Sequence, residues 1–236
     1  MRMDYSQLIE MMWKGIGESL YMTLVSTLLS YLLGIPVGVI LYITEEDGIA
    51  PCGWVNKIMG IVVNLVRSVP FIILLVAILP FTRLLVGTTI GATATIVPLV
   101  IAATPFVARM VESALKEVNS GIIEAALSMG SNTWQVIIKV LLPEAGPSLV
   151  VGSTIVITTI LGYSAMAGFV GGGGLGAIAI NYGYYRYQND IMLITVVLLV
   201  SLVQIFQETG MRLANRMDKR KTNLIQRHPI GKRRKK

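Results

Sequence analysis

Residues 145–185 read AGPSLVVGSTIVITTILGYSAMAGFVGGGGLGAIAINYGYY, a stretch without a single Asp, Glu, Lys or Arg. A helix needs only about 20 apolar residues to cross a bilayer. Two further uncharged stretches, 19–44 and 84–108, also exceed that length. The whole chain of 236 residues is 54% hydrophobic and 14% charged, whereas a soluble domain carries about 25% charged residues. The sequence therefore predicts an integral membrane protein and excludes a water-soluble globular one.

The apolar segments predict an all-α protein with five transmembrane helices. These helices are expected at residues 18–43, 68–86, 90–110, 147–170 and 191–207. The first should remain in place, because its apolar stretch is too long for a signal-peptide core and no small-residue cleavage site follows it. Its glycines at Gly34 and Gly38 are either a close-packing motif or simply tolerated in lipid. Pro70 and Pro80 predict bends in the second helix, and an apolar stripe at residues 58–66 predicts a preceding helix along or oblique to the membrane.

Positive charge is concentrated at the C-terminal end of the chain. The net charge is +7, and residues 212–236 hold 11 of the 20 Lys and Arg but only one of the 13 acidic residues. Because Lys and Arg mark the cytoplasmic side, we expect a cytoplasmic C-terminus and, with five spans, an N-terminus outside the cell membrane. The expected inner set of basic residues includes Arg67, and the outer set is Arg2, Lys14, Arg83 and Arg186. Membrane lipid is the expected partner of the tail, and no nucleic acid is expected, since no folded aromatic-bearing surface carries the charge.

Residues 111–143, between the third and fourth predicted helices, are polar and would face the cytoplasm. Polar and apolar residues alternate there at helical spacing, which predicts two short amphipathic helices. Gly130 supplies a helix C-terminus, and Asn132 begins a new helix with Gln135 three residues later, as in a capping box. Pro143 is predicted to stop the second helix. Such a hairpin is either a docking element for another protein or a surface loop that packs on its own bundle.

The same segment resembles the EAA loop of permeases in ATP-binding-cassette (ABC) importers. The matching residues are Glu124, Ala125, Ala126, Gly130, Leu141, Leu142 and Pro143, with Val140 where isoleucine is usual. Other phrases are similar to the methionine-importer permease subfamily: RSVPFIILLV at 67–76, PFTR at 80–83, PFVARMVE at 105–112 and GYSAM at 162–166. The resemblance covers residues 18–216. It divides the chain into an N-terminal segment (1–17), a permease domain (18–216) with a coupling segment (116–143), and a basic tail (217–236).

The resemblance implies the fold and partners of a type I ABC importer permease. The implied function is ATP-driven import of methionine or close analogues by alternating access, with another small amino acid or polar solute as the alternative. The implied partners are a second copy of the chain, two cytoplasmic ABC ATPase subunits and an extracytoplasmic substrate-binding protein or lipoprotein. The EAA residues listed above, Glu124 and Gly130 foremost, would couple the permease to the ATPase, and Ile123 and Leu127 are expected to fill an apolar cleft in it. ATP and Mg would bind to that ATPase, so no cofactor is expected in this chain.

The residues themselves agree with a transport subunit that is not an enzyme. The chain has no Gly-xxxx-Gly-Lys-Ser/Thr sequence, so it cannot hydrolyse nucleotide alone. Five spans are few to enclose a solute path, and a dimer supplies ten. Tyr163, Ser164 and Met166 lie in the long uncharged run and are candidates for the path or its gate, although packing explains Ser164 and Met166 equally well. Because this run carries no charge, we expect a zwitterionic solute to meet backbone groups and hydroxyls instead of a salt bridge.

Four other functional interpretations are rejected. Residues 171–176 contain GxGxxG, but no strand precedes them, so a flexible or tightly turning outer-side segment, or a gate, is expected instead of a dinucleotide site. The sequence around Ser164 resembles that of the rhomboid protease serine, yet the only histidine, His228, lies in the tail. With the single Cys52, that histidine also makes no metal cluster. A channel would need charged rings or a carbonyl filter and has no use for an ATPase-docking loop.

Overall fold

The computed structural model describes residues 5–217, and all regular elements in this range are helical. Residues 218–236 of the predicted tail, including His228, and the first four residues lie outside the described range. The α-helices are α1 (Tyr5–Ile43), α2 (Gly53–Ser68), α3 (Phe71–Ala77), α4 (Leu79–Val86), α5 (Ala92–Lys116), α6 (Ser120–Ser128), α7 (Thr133–Val136), α8 (Leu142–Glu144), α9 (Gly146–Met166), α10 (Gly174–Ile178) and α11 (Asn189–Met217). A 3₁₀ turn (Ala167–Val170) follows α9, and π-helical turns follow α7 (Ile137–Leu141) and α10 (Ala179–Tyr184).

Four helical segments within the described range are long and apolar enough to cross a membrane by themselves. They are α1, α5, α9 with its continuation to Tyr184, and α11. The pair α2 and α3 qualifies as a fifth span, although the two helices meet at an angle of 100°. The predicted class, an all-α membrane protein with five apolar helical segments and a short polar helical hairpin, is therefore confirmed.

The first helix is longer than its hydropathy indicates. It begins at Tyr5 instead of residue 18 and continues without a break to Ile43. Glu18 does not end it, because this carboxylate accepts a hydrogen bond from the backbone N–H of Gly174 at 2.7 Å. Before Glu18, Met12 is buried and packs with Leu175 and Ile178. Tertiary contacts with α10 thus give the first turns of α1 an apolar partner that their local sequence cannot reveal.

Close packing between α1 and α5 forms the centre of the bundle. A side chain at Gly34 would lie 2.6 Å from Val107, and one at Gly38 would lie 2.5 Å from the carbonyl oxygen of Ala108. The two glycines therefore let the backbones approach, as small residues spaced by four do in membrane helices. This resolves the alternatives for the Gly34–Gly38 pair in favour of close packing.

The second span is divided differently from the prediction. Instead of one bent helix over residues 68–86, α2 ends at Ser68, α3 begins at Phe71 and α4 occupies residues 79–86. Pro70 precedes α3 and has no N–H to continue α2, so the predicted bend becomes a complete break. Pro80 lies in the first turn of α4, where its missing N–H has no helical partner to lose.

The C-terminal half returns the chain to the end from which α1 departs. Helix α9 and its 3₁₀ turn occupy the predicted fourth span, and α10 then folds back against the first turns of α1. Helix α11 extends beyond the predicted residues 191–207 in both directions and reaches Met217. The opposite end of the bundle, away from the start of α1, carries α6 and α7, and we call it the hairpin end. At this end the side chain of Met217 lies against Gly146, and Lys116 at the end of α5 pairs with Glu45 after α1.

Candidate coupling site and solute path

The predicted hairpin is formed by two short helices joined through Gly130. Asn119 caps α6 by accepting a hydrogen bond from the N–H of Gly121 at 2.8 Å. At the other end, Gly130 has a φ of 83°, a left-handed conformation that favours glycine, and the N–H of Ser131 reaches back to the Ala126 carbonyl at 3.1 Å. Asn132 and Gln135 form the predicted capping box at the start of α7. The hairpin and both of its helix boundaries at the turn are therefore confirmed.

One side of the hairpin is anchored and the other is exposed. Ile123 and Ala126 of α6 are buried with Val136 of α7 in the main core, whereas Glu124 and Ala125 are exposed. Besides Glu124, five large apolar side chains between residues 122 and 138 are open to solvent: Ile122, Leu127, Met129, Trp134 and Ile138. We call Glu124 with these five residues the hairpin patch. Met129 is 81% and Trp134 is 68% exposed, and a patch of this kind is typical of a protein-interaction site.

Two expectations about the hairpin are wrong in detail. Ile123 cannot reach a partner together with Leu127, because it is buried in this chain's own core. Pro143 does not stop a helix, because a π-helical turn at Ile137–Leu141 precedes it and α8 continues through it towards α9. In that turn the N–H of Leu142 bonds to the carbonyl of Ile137. Pro143 then begins a new helical register, where no N–H is needed, and it lies exposed beside the half-buried Leu142.

A charged network that sequence reasoning missed joins the end of α5 to α2 and to the turn after α1. The carboxylate of Glu112 is 7% exposed and binds Arg109 at 2.7 Å and Lys116 at 3.0 Å. Lys116 also pairs with Glu45 after α1 at 2.6 Å, and Arg109 donates to Asn64 of α2 at 2.9 Å. Three helices are thus tied together immediately before α6. The i,i+3 and i,i+4 spacing of the three α5 residues is the signal that could have indicated it.

The three candidate path residues do not form one cluster. The ring of Tyr163 stacks on Phe71, with centroids 4.4 Å apart and planes 2° apart. Ser164 is buried and donates to the Leu161 carbonyl at 2.8 Å, which is the packing role allowed for it. Met166 is 48% exposed and lines an open depression with Ile72, Phe169 and Val170. Tyr163 is the member of the set that lines an enclosed recess.

That recess lies where α2 breaks against α5 and α9. It has a volume of about 220 Å³ and is lined by Val66, Arg67, Val69, Phe71, Leu74, Ala102, Phe106, Thr159 and Tyr163. The guanidinium of Arg67 lies 5.9 Å from the centre of the Phe106 ring. Phe106 is in the middle of α5, so Arg67 lies beside the bundle and not in the charged network around Glu112. The 16 residues of α2 carry Arg67 away from the hairpin end.

The glycine-rich segment is a tight turn fastened to two helices. Gly171, Gly173 and Gly174 have positive φ angles, which explains why side chains are absent there. The Thr95 hydroxyl of α5 donates to the Gly172 carbonyl at 3.1 Å, and Ser19 of α1 accepts from the N–H of Leu175 at 2.9 Å. The expectation of a tightly turning segment is confirmed, and its placement beside α1 and α5 was not foreseen.

Known proteins are similar to this chain in sequence. Residues 34–217 match the family described as the binding-protein-dependent transport system inner membrane component. The "probable D-methionine transport system permease protein MetI" of Vibrio cholerae serotype O1 is 54% identical over 203 residues, which cover 86% of this chain and 90% of that protein. The D-methionine transport system permease protein MetI of Escherichia coli K12 is 50% identical over 161 residues, or 67% of this chain and 74% of that protein.

Solved structures agree with this relationship. A chain of the inward-facing MetNI methionine ABC transporter superposes with a TM-score of 0.90 at 46% identity, covering 92% of this chain and all of that one. A chain of an amino acid ABC transporter has a TM-score of 0.68 at 18% identity, which shows a shared fold alone. Taken with the family match over most of the chain, these similarities establish that the protein belongs to the inner-membrane components of binding-protein-dependent transport systems.

Proposed function

We propose that this chain is the permease subunit of an ATP-driven ABC importer that moves methionine, as the L form, the D form or both, into the cell. It works as a homodimer with two cytoplasmic ABC ATPase subunits, which bind the ATP and Mg, and receives solute from an extracytoplasmic binding protein or lipoprotein. When the ATPases close, α6 and α7 move with them and transmit this movement to the bundle. The bundle then opens the solute path alternately to the outside and to the cytoplasm. The hairpin patch is the observation that carries this proposal.

The hairpin patch combines rigid anchoring with an exposed contact surface. Burial of Ile123 and Ala126 fixes α6 on the bundle, so a force applied at Glu124 moves α5 and α9 with it. The exposed Leu127 and Trp134 can fill an apolar cleft in the ATPase. The remaining residues of the EAA sequence have supporting roles. The small Ala125 leaves room beside Glu124. Leu142 and Pro143 set the direction in which the chain returns to α9.

Methionine is proposed as the solute because of the relatives. Close relatives across most of the chain are named as D-methionine transport permeases, and the matching structure with the TM-score of 0.90 is a methionine ABC transporter. The uncharged surfaces near Met166 suit a solute with an apolar side chain. Tyr163 and Met166 are proposed to line the path, and Ser164 is assigned to helix packing.

The positions of the helix ends support a cytoplasmic C-terminus and an external N-terminus. Met217, the last described residue of α11, lies beside Gly146 at the hairpin end, so the tail leaves the bundle on the side where the ATPase docks. Gly15 near the start of α1 packs on Leu175 and Ile178 at the opposite end. The basic residues of the tail then lie in the cytoplasm, as the distribution of Lys and Arg predicts.

The proposal is tested by Glu124→Ala in the permease reconstituted with its ATPase and binding protein in proteoliposomes. Loss of one member of a buried charge-assisted contact costs about 2–5 kcal/mol, so we expect docking to weaken more than tenfold and ATP-driven methionine uptake to fall accordingly. Glu10→Ala is the matched control, because Glu10 is also exposed but lies at the opposite end of the bundle. Wild-type uptake by Glu124→Ala with the ATPase still bound would contradict the coupling role. Absence of methionine uptake by the wild type would contradict the function itself.

A further inference from the structure

Arg67 places a positive charge inside the span-forming part of the bundle. Its guanidinium lies 5.9 Å from the Phe106 ring, and Phe106 lies about 15 Å along the helix axis from the end of α5 at Lys116. Thr159 and Tyr163, which line the same recess, lie about 20 Å and about 25 Å along α9 from its start at Gly146. The charge therefore lies one helical turn beyond Asn64 and the charged network, beside the middle of α5. An isolated cation within the span-forming part of a membrane bundle is costly.

No side chain between residues 5 and 217 neutralises Arg67. The ion pairs in this range join Arg109, Lys116 and Arg212 to carboxylates and leave Arg67 without one. Within this range its guanidinium contacts the face of the Phe106 ring, which attracts a cation. This contact leaves the five N–H donors of the forked guanidinium group free. The side chain is exposed. Charged residues inside a membrane bundle that face open space mark solute pathways.

The recess beside Arg67 combines an apolar wall with polar groups. Phe71 and Tyr163 form a stacked aromatic surface, and Leu74 and Ala102 extend it. The Thr159 hydroxyl donates to the Ile155 carbonyl at 2.8 Å, so its lone pairs remain available to accept a hydrogen bond. The last carbonyls of α2, which ends at Ser68, have no N–H donors in a following helical turn, although that of Val66 accepts from the N–H of Val69 at 3.3 Å. At about 220 Å³ the recess is smaller than the roughly 300–1,000 Å³ of drug-sized sites.

We propose that Arg67, Phe106, Thr159 and Tyr163 form a transient binding site for the carboxylate and side chain of a zwitterionic amino acid during translocation. The guanidinium fork binds the carboxylate through two parallel hydrogen bonds. The ammonium group meets the Thr159 hydroxyl and the free carbonyls at the end of α2. A thioether side chain lies against the Phe71–Tyr163 pair, since sulfur packs favourably at aromatic rings. This inference rests on the proposed function, and it replaces the expectation of a path without a fixed charge.

The break at Pro70 explains how a helix end can supply such a site. Non-helical backbone at membrane depth is tolerated where it lines a cavity, and broken helices place unpaired carbonyls beside transported solutes. The angle of 100° between α2 and α3 puts Phe71 under Tyr163 while Arg67 remains over Phe106. One break therefore aligns the charged, polar and aromatic parts of the recess.

The test is photolabelling of the reconstituted importer with a radiolabelled diazirine analogue of methionine during ATP turnover. Adducts are mapped by mass spectrometry on the permease chain, which separates this site from any site on the partners. In the wild type we expect adducts on the α5 and α9 segments around Phe106 and Tyr163, suppressed by excess methionine but not by its decarboxylated amine. Arg67→Gln should lower this labelling and methionine uptake at least tenfold. Arg67→Lys should lower both less, because lysine keeps the positive charge but cannot form the two parallel hydrogen bonds of the guanidinium group.

Matched variants separate binding from folding. Arg83→Gln removes another exposed arginine, in α4, and should leave labelling within twofold of the wild type. Tyr163→Leu removes the aromatic ring that stacks on Phe71 and receives the solute side chain, and should reduce labelling several-fold in an assembled complex. If Arg67→Gln fails to assemble, Arg67→Lys and Tyr163→Leu decide the question.

Three results would overturn the inference while leaving the proposed function intact. The first is methionine uptake by the wild type without adducts on these segments. The second is labelling at the wild-type level in both Arg67→Lys and Tyr163→Leu. The third is a defect of Arg67→Gln that varies with the anionic lipid content of the vesicles but not with the carboxylate of the solute, because the arginine would then bind lipid phosphate. Failure of wild-type uptake would instead refute the proposed function.

Discussion

The charged network at the base of the hairpin offers the sharpest stability prediction. Glu112 accepts hydrogen bonds from Arg109 at 2.7 Å and from Lys116 at 3.0 Å, with its own side chain 7% exposed. Glu112→Ala removes the acceptor and leaves two cations in a confined space. Breaking a buried ion pair from one side costs about 3–5 kcal/mol. Arg109 and Lys116 are 26% and 47% exposed and keep Asn64 and Glu45 as partners, so we expect a smaller loss of about 2–3 kcal/mol.

The chain contains a matched control for this measurement. Arg212 and Glu208 of α11 form an ion pair at the same 2.7 Å, but their side chains are 73% and 65% exposed. Glu208→Ala should therefore cost less than about 1 kcal/mol. The assay is equilibrium unfolding of the purified permease in mixed detergent micelles at increasing mole fraction of sodium dodecyl sulfate, followed by circular dichroism, for the wild type and both variants.

The comparison between the two pairs decides the reasoning. If Glu112→Ala and Glu208→Ala destabilise the permease equally, burial does not determine the contribution of the network, and the argument fails. Glu112→Gln provides a further check, because it keeps the size of the side chain but loses the charge. It should recover only part of the lost stability, since an amide accepts hydrogen bonds through one oxygen instead of two.

Two other predictions follow from the packing and from the helix ends. Gly38→Val should prevent the close approach of α1 and α5, since a side chain there meets a carbonyl oxygen at 2.5 Å. We therefore expect this variant to lose the monodisperse peak in size-exclusion chromatography. Gly17 has open space around it, so the control variant Gly17→Ala should elute as the wild type does. The exposed Cys52 lies in the turn at the hairpin end, so a membrane-impermeant maleimide should label it in inverted vesicles and not in intact cells, and Thr88→Cys in a Cys52→Ser background should show the reverse. Labelling of both positions from the same side would refute the orientation.

Local chemistry allowed the sequence to predict the class of protein and the hairpin. Bilayer thickness fixes the length of an uncharged run, so the membrane class follows from composition alone. The turn at Gly130 and the capping box at Asn132 satisfy backbone groups within a few residues, and their sequence patterns are therefore sufficient. The proposed coupling residues come from resemblance alone, because the role proposed for them depends on a partner surface that this chain does not encode.

Tertiary structure decided the features in which distant segments satisfy one another. The first turns of α1 depend on Leu175 and Ile178 in the C-terminal half of the chain, and no local window contains that contact. Arg67 was grouped with the inner basic residues from its position before the second predicted span, and the order of residues does not record the direction of α2. Its place above Phe106 arises from the break at Pro70 and from the packing of α5 and α9. Long-range packing, which short-range periodicity cannot describe, thus decides that the unpaired charge of Arg67 lies beside Phe106.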